Sequence, residues 1–453
     1  MATLKGLYPN RQETDVFSQQ EEHIALYTLI VDKIMQMQLS IPNYQRAYCW
    51  DEENVGCLLN DIIAYFDESK NQDCKYRLGT IILYRTNEGK YDILDGQQRL
   101  ITLALILQEL GIYCNLLKVK PSSEESSQQI AYNKFFIKQV LGKKNTDMRN
   151  LLCTKILQFL DMNVLVIREE SLDVAYTFFT HQNSRGKALT DYDLLKAHHL
   201  RFMPAESATN VAERWNEMIN HGRLSKEHKA YNLPAYVTML DTYLYHLRHL
   251  LAHDEYNDKA EHHVMSEFTA IDVAVEGLPE NSMFFDSYIL GGQFFFDYVY
   301  KYLVKFYYFK KTSEYQALNN NMNYSSHSWY CNTIGSLLFC YYLRFGNNFL
   351  AEALVVIMRI ILQDRFDNAR ANERRIWNYA RNLDLARNIC RSSLSEFFLA
   401  DALKCAKAMS VSTSNLQRPI KVQMLENASK INNLIAKNIN MESFKNINFY
   451  EAK

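Results

Sequence analysis

The chain has 453 residues, of which 48% are hydrophobic, enough to bury more than one core; at roughly 100–200 residues per domain, two units are expected. With 50 basic and 51 acidic residues the formal charge is −1, which excludes a surface coated throughout for nucleic acid and leaves room only for a local basic face. Only 7 prolines and 14 glycines interrupt the chain, so most of it is expected to be helix.

In chain order, residues 20–36 are expected to form a helix, followed by the extended stretch "LSIPNYQRAYCW" and a helix from about Asp51 to Glu68. "KYRLGTIILYR" and "GKYDILD" are β-rich and flank Thr86-Asn87-Glu88-Gly89, which reads as a hairpin turn. The run Leu100 to Leu107 has only Thr102 as a polar member, so it belongs inside, with Gly111 as the C-terminal cap of its helix. A polar loop, "KPSSEESSQQ", opens a helical insertion at about 115–160. Then come a strand over "MNVLVIRE", a helix over "SLDVAYTFFTHQNS", and another helix starting at Thr190. Beyond Pro204 strand signals fade and 3.6-residue periodicity takes over. The fold class is therefore α+β: a small α/β domain at 1–205 followed by a larger all-helical domain at 206–453.

Nine cysteines, an odd number, contain no Cys-x-x-Cys pair and no metal-ligand spacing to a histidine pair; they read as reduced, mostly buried thiols of a cytoplasmic protein. The first residues, "MATLKGLYPNRQETD", lack the apolar core of a signal peptide. The two greasiest stretches carry Asp297, Lys301 and Lys305, and Glu352 and Arg359, so neither offers about 20 uncharged apolar residues and no membrane partner is expected.

Three constellations carry chemistry. The first is the strand–turn–helix Asp95-Gly96-Gln97-Gln98-Arg99. Asp95 and Gln98 can form a capping box, and Gly96 permits the turn. Arg99 stands apart, because a cation in the first turn opposes the helix dipole, at a cost of about 0.3–1 kcal/mol when exposed. An anion at the same helix start would offset it, with free backbone N–H groups and a guanidinium fork to hold a phosphate. The second is "IPNYQRAYCW", where an extended chain puts Tyr44, Arg46, Tyr48 and Trp50 on one face, as a stacked surface cation or as a wall for a nucleotide. The third is "HQNSRGKALTDYDLLK": Thr190 and Asp193 read as a capping box, while Asn183, Arg185, Lys187 and Lys196 remain as polar groups near a helix junction.

Other signals are weaker. The segment Arg365 to Arg391 reads either as a DNA-facing helix, through Arg370, Arg374, Arg375 and Arg381, or as a solvated, salt-bridged surface. "HHLRFMP" lies in a helix without the partners of an HNH nuclease, and there is no Gly-x-x-x-x-Gly-Lys-[Ser/Thr] phosphate loop.

Taken in order, "IPNYQRAYCW", "DGQQRL" and "NSRGKALTDYDLLKA" resemble the N-terminal domain of GmrSD-type modification-dependent restriction endonucleases. The first matches the family pattern fully; the second has Ile101 where threonine is usual; the third keeps Asn183, Gly186, Leu189, Asp193, Leu194 and Lys196 but has His181-Gln182 in place of an arginine-leucine-like pair. That family is similar to the ParB/sulfiredoxin-like fold. The resemblance implies binding of a nucleoside triphosphate, with Mg²⁺ and, in several members, hydrolysis. Gly96, Gln97, Gln98 and Arg99 would cradle phosphates, Asp95 would serve metal or water, and Asp95 and Arg99 would be the catalytic pair. Tyr44, Gln45 and Arg46 would form the opposite wall; Asn183, Arg185 and Lys196 would complete the pocket.

No C-terminal His-x-x-Pro nuclease signature is present in this sequence, so the expectation is the nucleotide-handling half of a split anti-phage system, with cleavage from a nuclease-bearing partner. DNA, bound directly or through the complex, and a further copy of the chain are the other expected partners. The alternatives are a non-enzymatic, nucleotide-gated DNA clamp or adaptor, and, ranked last for want of a carboxylate–histidine cluster, a nuclease in its own right.

Overall fold

The computed structural model describes residues 24–42, 45, 47–67, 75–86, 88–118, 124–168, 190–220, 237–255, 263–269, 284–323, 328–410, 418–445 and 447. The chain divides into two compact units, Met1–Asn220 and His221–Lys453.

The first unit contains β1 (Ile24–Ile30), α1 (Val31–Gln36), β2 (Leu39–Ser40), α2 (Glu52–Asp67), β3 (Tyr76–Arg85), β4 (Tyr91–Asp95), α3 (Gln97–Glu109), α4 (Glu124–Gly142), α5 (Thr146–Phe159), β5 (Leu160–Ile167), α6 (Asp191–Leu200) and α7 (Ala205–Asn220). Its strands form one mixed sheet in the order β1-β5-β3-β4-β2, with β5 parallel to β3 and β2 parallel to β4, the other pairs being antiparallel. Strand β5, "LDMNVLVI", lies inside the sheet between β1 and β3 and is buried along nearly its whole length, as a strand covered on both faces must be.

The helix expected over 20–36 is corrected. Ile24–Ile30 is a strand paired antiparallel with β5 from Ile24↔Ile167 to Ile30↔Asp161, and only Val31–Gln36 is helical. Its β-branched and aromatic residues favour a pleated, half-buried surface once a partner strand is present. The hairpin joining β3 and β4 forms as expected, closed by the Thr86 N–H donating to the Lys90 carbonyl at 2.8 Å. The helix expected over "SLDVAYTFFTHQNS" lies outside the described residues.

Helix α3 is the core element that positions the site. Leu100 to Leu107 is buried throughout. Its end is a Schellman turn: the Gly111 N–H (φ 92°) donates to Gln108 O at 3.1 Å, and the Ile112 N–H to Leu107 O at 2.8 Å.

The second unit is helical wherever it has regular structure among the described residues. It comprises a π-helical turn (Thr238–Leu244) running into α8 (Tyr245–Ala252), then α9 (His263–Phe268), α10 (Gln293–Lys310), α11 (Ser313–Met322), α12 (Ser328–Phe345), α13 (Leu350–Asp367), α14 (Glu373–Asn382), α15 (Leu385–Arg391), α16 (Ser395–Ala408), α17 (Pro419–Ile435) and α18 (Glu442–Lys445). Helix α13 is buried from Leu350 to Phe366. Its charged members are used internally: Arg359 donates to Gln363 Oε1 at 2.7 Å and Met409 O at 2.9 Å, and Glu352 Oε1 accepts from the Asn440 and Met441 N–H groups. Among the described residues no helix is long and apolar enough to cross a membrane.

Candidate functional site

The end of β4 and the start of α3 meet the "IPNYQRAYCW" segment. Gly96 is the N-cap of α3 with φ 91°, and no side chain caps that end, so the expected Asp95/Gln98 capping box is not formed. Gln98 turns to the neighbouring segment instead. Its Oε1 accepts from the N–H groups of Cys49 (2.9 Å) and Trp50 (3.2 Å), and its Nε2 donates to Ala47 O at 3.2 Å. Gln45 is buried, and its Nε2 donates to Ile93 O (3.0 Å) and Leu94 O (2.8 Å) at the end of β4. Gln97 is buried beside them.

Helix α6 adds the third segment. It starts in the capping box expected at Thr190 and Asp193, and this fixes the register that carries Lys196 inward. Lys196 Nζ donates to Gln45 O at 3.3 Å, in a position only 2% exposed. Burial pulls its ammonium down to about 8, against a smaller opposite pull from Asp193. One junction thus joins residues from all three motif segments.

The glycine at 96 has a packing reason. A Cβ there would stand 2.4 Å from Ile81 Cγ2, so the missing side chain faces strand β3 and not open space.

Arg99 is held by β3. The register of β3 against β5 shifts between Arg77 and Thr80, a bulge at whose centre Gly79 adopts φ 95°. Around it, Leu78 O accepts from Arg99 Nη1 at 2.6 Å and Thr80 O from Nη2 at 2.8 Å. Asp95 Oδ2 lies 3.9 Å from Nη2, and both side chains remain about a quarter exposed, 25% for Arg99 and 27% for Asp95. The protein itself therefore supplies the negative potential that this cation calls for at a helix N-terminus. A guanidinium has about five N–H donors. The carbonyls that take two of them also fix its plane.

Helix α4 completes the seat. Tyr48 is buried, not part of an exposed row: its hydroxyl meets Thr102 Oγ1 at 2.8 Å and accepts from Asn133 Nδ2 at 3.1 Å, and burial pushes its pKa up. Asn133 and Gln129 both donate to Trp50 O, at 2.7 and 2.8 Å. Sequence reasoning missed Gly79, Gln129 and Asn133; the glycine inside the β-rich run was the one local signal available. Tyr44, Arg46, Asn183 and Arg185 lie outside the described residues.

Among the described residues no group of three or more His, Cys, Asp or Glu could hold a metal ion. Mg²⁺ commonly takes one or two protein carboxylates and completes its shell with phosphate oxygens and water. Asp95 fits that role only as a single ligand beside a bound triphosphate.

The arginines considered for DNA are placed as follows. Arg375 makes a two-point pair with buried Asp364, at 3.1 and 3.3 Å, and so serves the helical core. Arg374 lies 3.7 Å from Glu255, Arg381 donates to Asn382 Oδ1 at 3.4 Å, and Arg370 is exposed.

Residues 26–200 match the model of the GmrSD restriction endonuclease N-terminal domain. The chain carries a GmrSD-type N-terminal domain. The sheet, α3 and the three-segment junction all lie within it, and a domain of this kind indicates a component of a restriction-type defence system. Residues 229–417, most of the helical unit, match a family of unknown function (DUF7834). No curated protein matches the chain.

Proposed function

We propose that the GmrSD domain binds a nucleoside triphosphate at the α3 junction, and that the protein couples nucleotide state to DNA recognition or to a nuclease-bearing partner. The observation that carries this reading is the convergence of the three polar motif segments on one helix N-terminus through Gln98, Gln45 and Lys196. Residues kept only for packing would not need a buried lysine reaching a motif carbonyl.

In this reading Arg99, braced from behind by Leu78 O and Thr80 O, presents its remaining N–H groups to a phosphate with little reorganisation. Asp95 contributes one oxygen to Mg²⁺, which neutralises phosphate charge when bound. By the family resemblance Tyr44, Arg46, Asn183 and Arg185 complete the walls.

The test is calorimetric titration of the full chain with each of the four ribonucleoside triphosphates, with and without Mg²⁺, alongside phosphate release. Binding of at least one is expected, weakened about tenfold by Arg99→Lys, which keeps the charge and loses the fork. A folded protein that binds none of them, or a variant that binds equally well, overturns the phosphate role.

A second reading has its own observation: Asp95 faces a cation and not a free position, which suits binding without turnover. A nucleotide-gated adaptor of this kind would dimerise on binding and release no phosphate.

A further inference from the structure

Helix α10 in the helical unit leaves one face to solvent. Its apolar face is spent on the protein core, with Phe295, Val299, Tyr302 and Phe306 buried. At 3.6 residues per turn, Tyr300, Lys301, Val304, Tyr307, Tyr308 and Lys311 fall on the opposite side, with Lys305 at its margin. Tyr300, Tyr307 and Tyr308 are 50%, 54% and 58% exposed. Lys311 Nζ stands 4.0 Å from the Tyr307 ring centroid, and Lys305 Nζ is 6.0 Å from that of Tyr302.

Lys305 and Lys311 have no ion pair among the described residues. Asp297 shares the face, and its Oδ1 accepts from Gln293 Nε2. Lys301 is pulled below its ordinary range by burial and by its neighbour Lys305. A solvated, salt-bridged surface would pair these charges, and a helix lying on a membrane would present the apolar face that α10 has already committed to the core.

We propose that the exposed face of α10 binds single-stranded nucleic acid, its tyrosine rings stacking on bases while Lys305 and Lys311 meet the phosphates. From Phe294 to Lys311 the face runs about 25 Å at 1.5 Å per residue, room for several nucleotides. Flat rings alternating with cations on one rigid element are the two components of sequence-tolerant single-strand binding. The site is independent of the nucleotide reading of the GmrSD domain, since it uses other residues in the other unit.

The experiment is fluorescence anisotropy of a labelled oligothymidylate of about 20 nucleotides with the full chain, across a salt series. Binding that weakens with salt is expected. Lys305→Gln with Lys311→Gln should flatten the log–log salt slope by about 1.4, at about 0.7 per phosphate contact on single strands. Tyr307→Leu with Tyr308→Leu keeps apolar area and removes the flat rings; it should weaken binding about tenfold or more at unchanged slope. Four outcomes overturn the proposal: no binding, binding indifferent to both pairs of changes, equal affinity for the duplex, or binding to phosphatidylserine vesicles in place of the oligonucleotide. Thermal melting of each variant confirms that the substitutions at this exposed face leave the fold intact.

Discussion

A Cβ placed on Gly79 would stand 2.8 Å from Nη1 of Arg99. The bulge in β3 therefore does two things at once: it turns the Leu78 and Thr80 carbonyls onto the guanidinium, and it clears the space the guanidinium occupies. Gly79→Ala adds both a side chain at φ 95° and a clash with that fork. A loss of roughly 2 kcal/mol or more is expected, from left-handed strain of about 1–2 kcal/mol plus a weakened charged hydrogen bond. Urea denaturation measures it, and a variant as stable as the parent would refute the arrangement.

Gly96 makes a second, separable prediction. Alanine there meets Ile81 Cγ2 at 2.4 Å and Ile81 Cα at 3.5 Å on a backbone with φ 91°. Gly96→Ala should cost more than about 2 kcal/mol. Ile81→Ala, costly alone, should relieve part of that, giving a coupling of about 1 kcal/mol or more in a double-mutant cycle. Strict additivity would mean that the two sites do not touch.

Lys196 titrates near 8 in the fold, below its ordinary 10.4 when unfolded. Between these values the unfolded chain holds a proton that the folded chain has given up, so stability should rise as pH climbs from about 8 to about 10. Lys196→Met removes this rise. Melting curves at pH 7 and pH 9.5 decide it: equal pH responses in parent and variant would contradict the burial of the ammonium.

His246 gives a change at acid pH. Its Nδ1 donates to Thr242 O at 2.8 Å, its ring stacks on Trp377 with centroids 4.0 Å apart and planes at 11°, and burial pulls it down to about 4. The depressed value means the neutral ring is the folded form. The contribution of this group to stability should fall as pH drops from about 6.5 towards 4, by at most about 3.4 kcal/mol, and flatten below. Replacing His246 with phenylalanine should remove this contribution, so that the variant loses less stability than the parent across that window. A denaturation series at pH 4.5, 5.5 and 6.5 checks it.

Some of the site was legible early because its signals are local. Thr190 and Asp193 sit three residues apart and cap one helix, and Gly111 follows the helix it terminates. Gln98 was misread for the same reason: a capping box is the nearest use for it, whereas its real partners, Ala47, Cys49 and Trp50, lie about fifty positions earlier. Asn133 gave no warning either. Its role exists only because α4 packs beside Tyr48 and Trp50.

Composition and periodicity were enough to specify an α+β chain, a hairpin ahead of a buried helix, and a helical second half; ordered motifs were enough to point to the GmrSD domain. Tertiary structure alone decided that Ile24–Ile30 is a strand, because β5 supplies its hydrogen bonds from about 140 residues away. It alone decided what balances Arg99, because the two carbonyls come from a bulge 19 and 21 residues upstream. Pattern along a chain reports which face a residue turns inward; only folding brings the partner that meets it there.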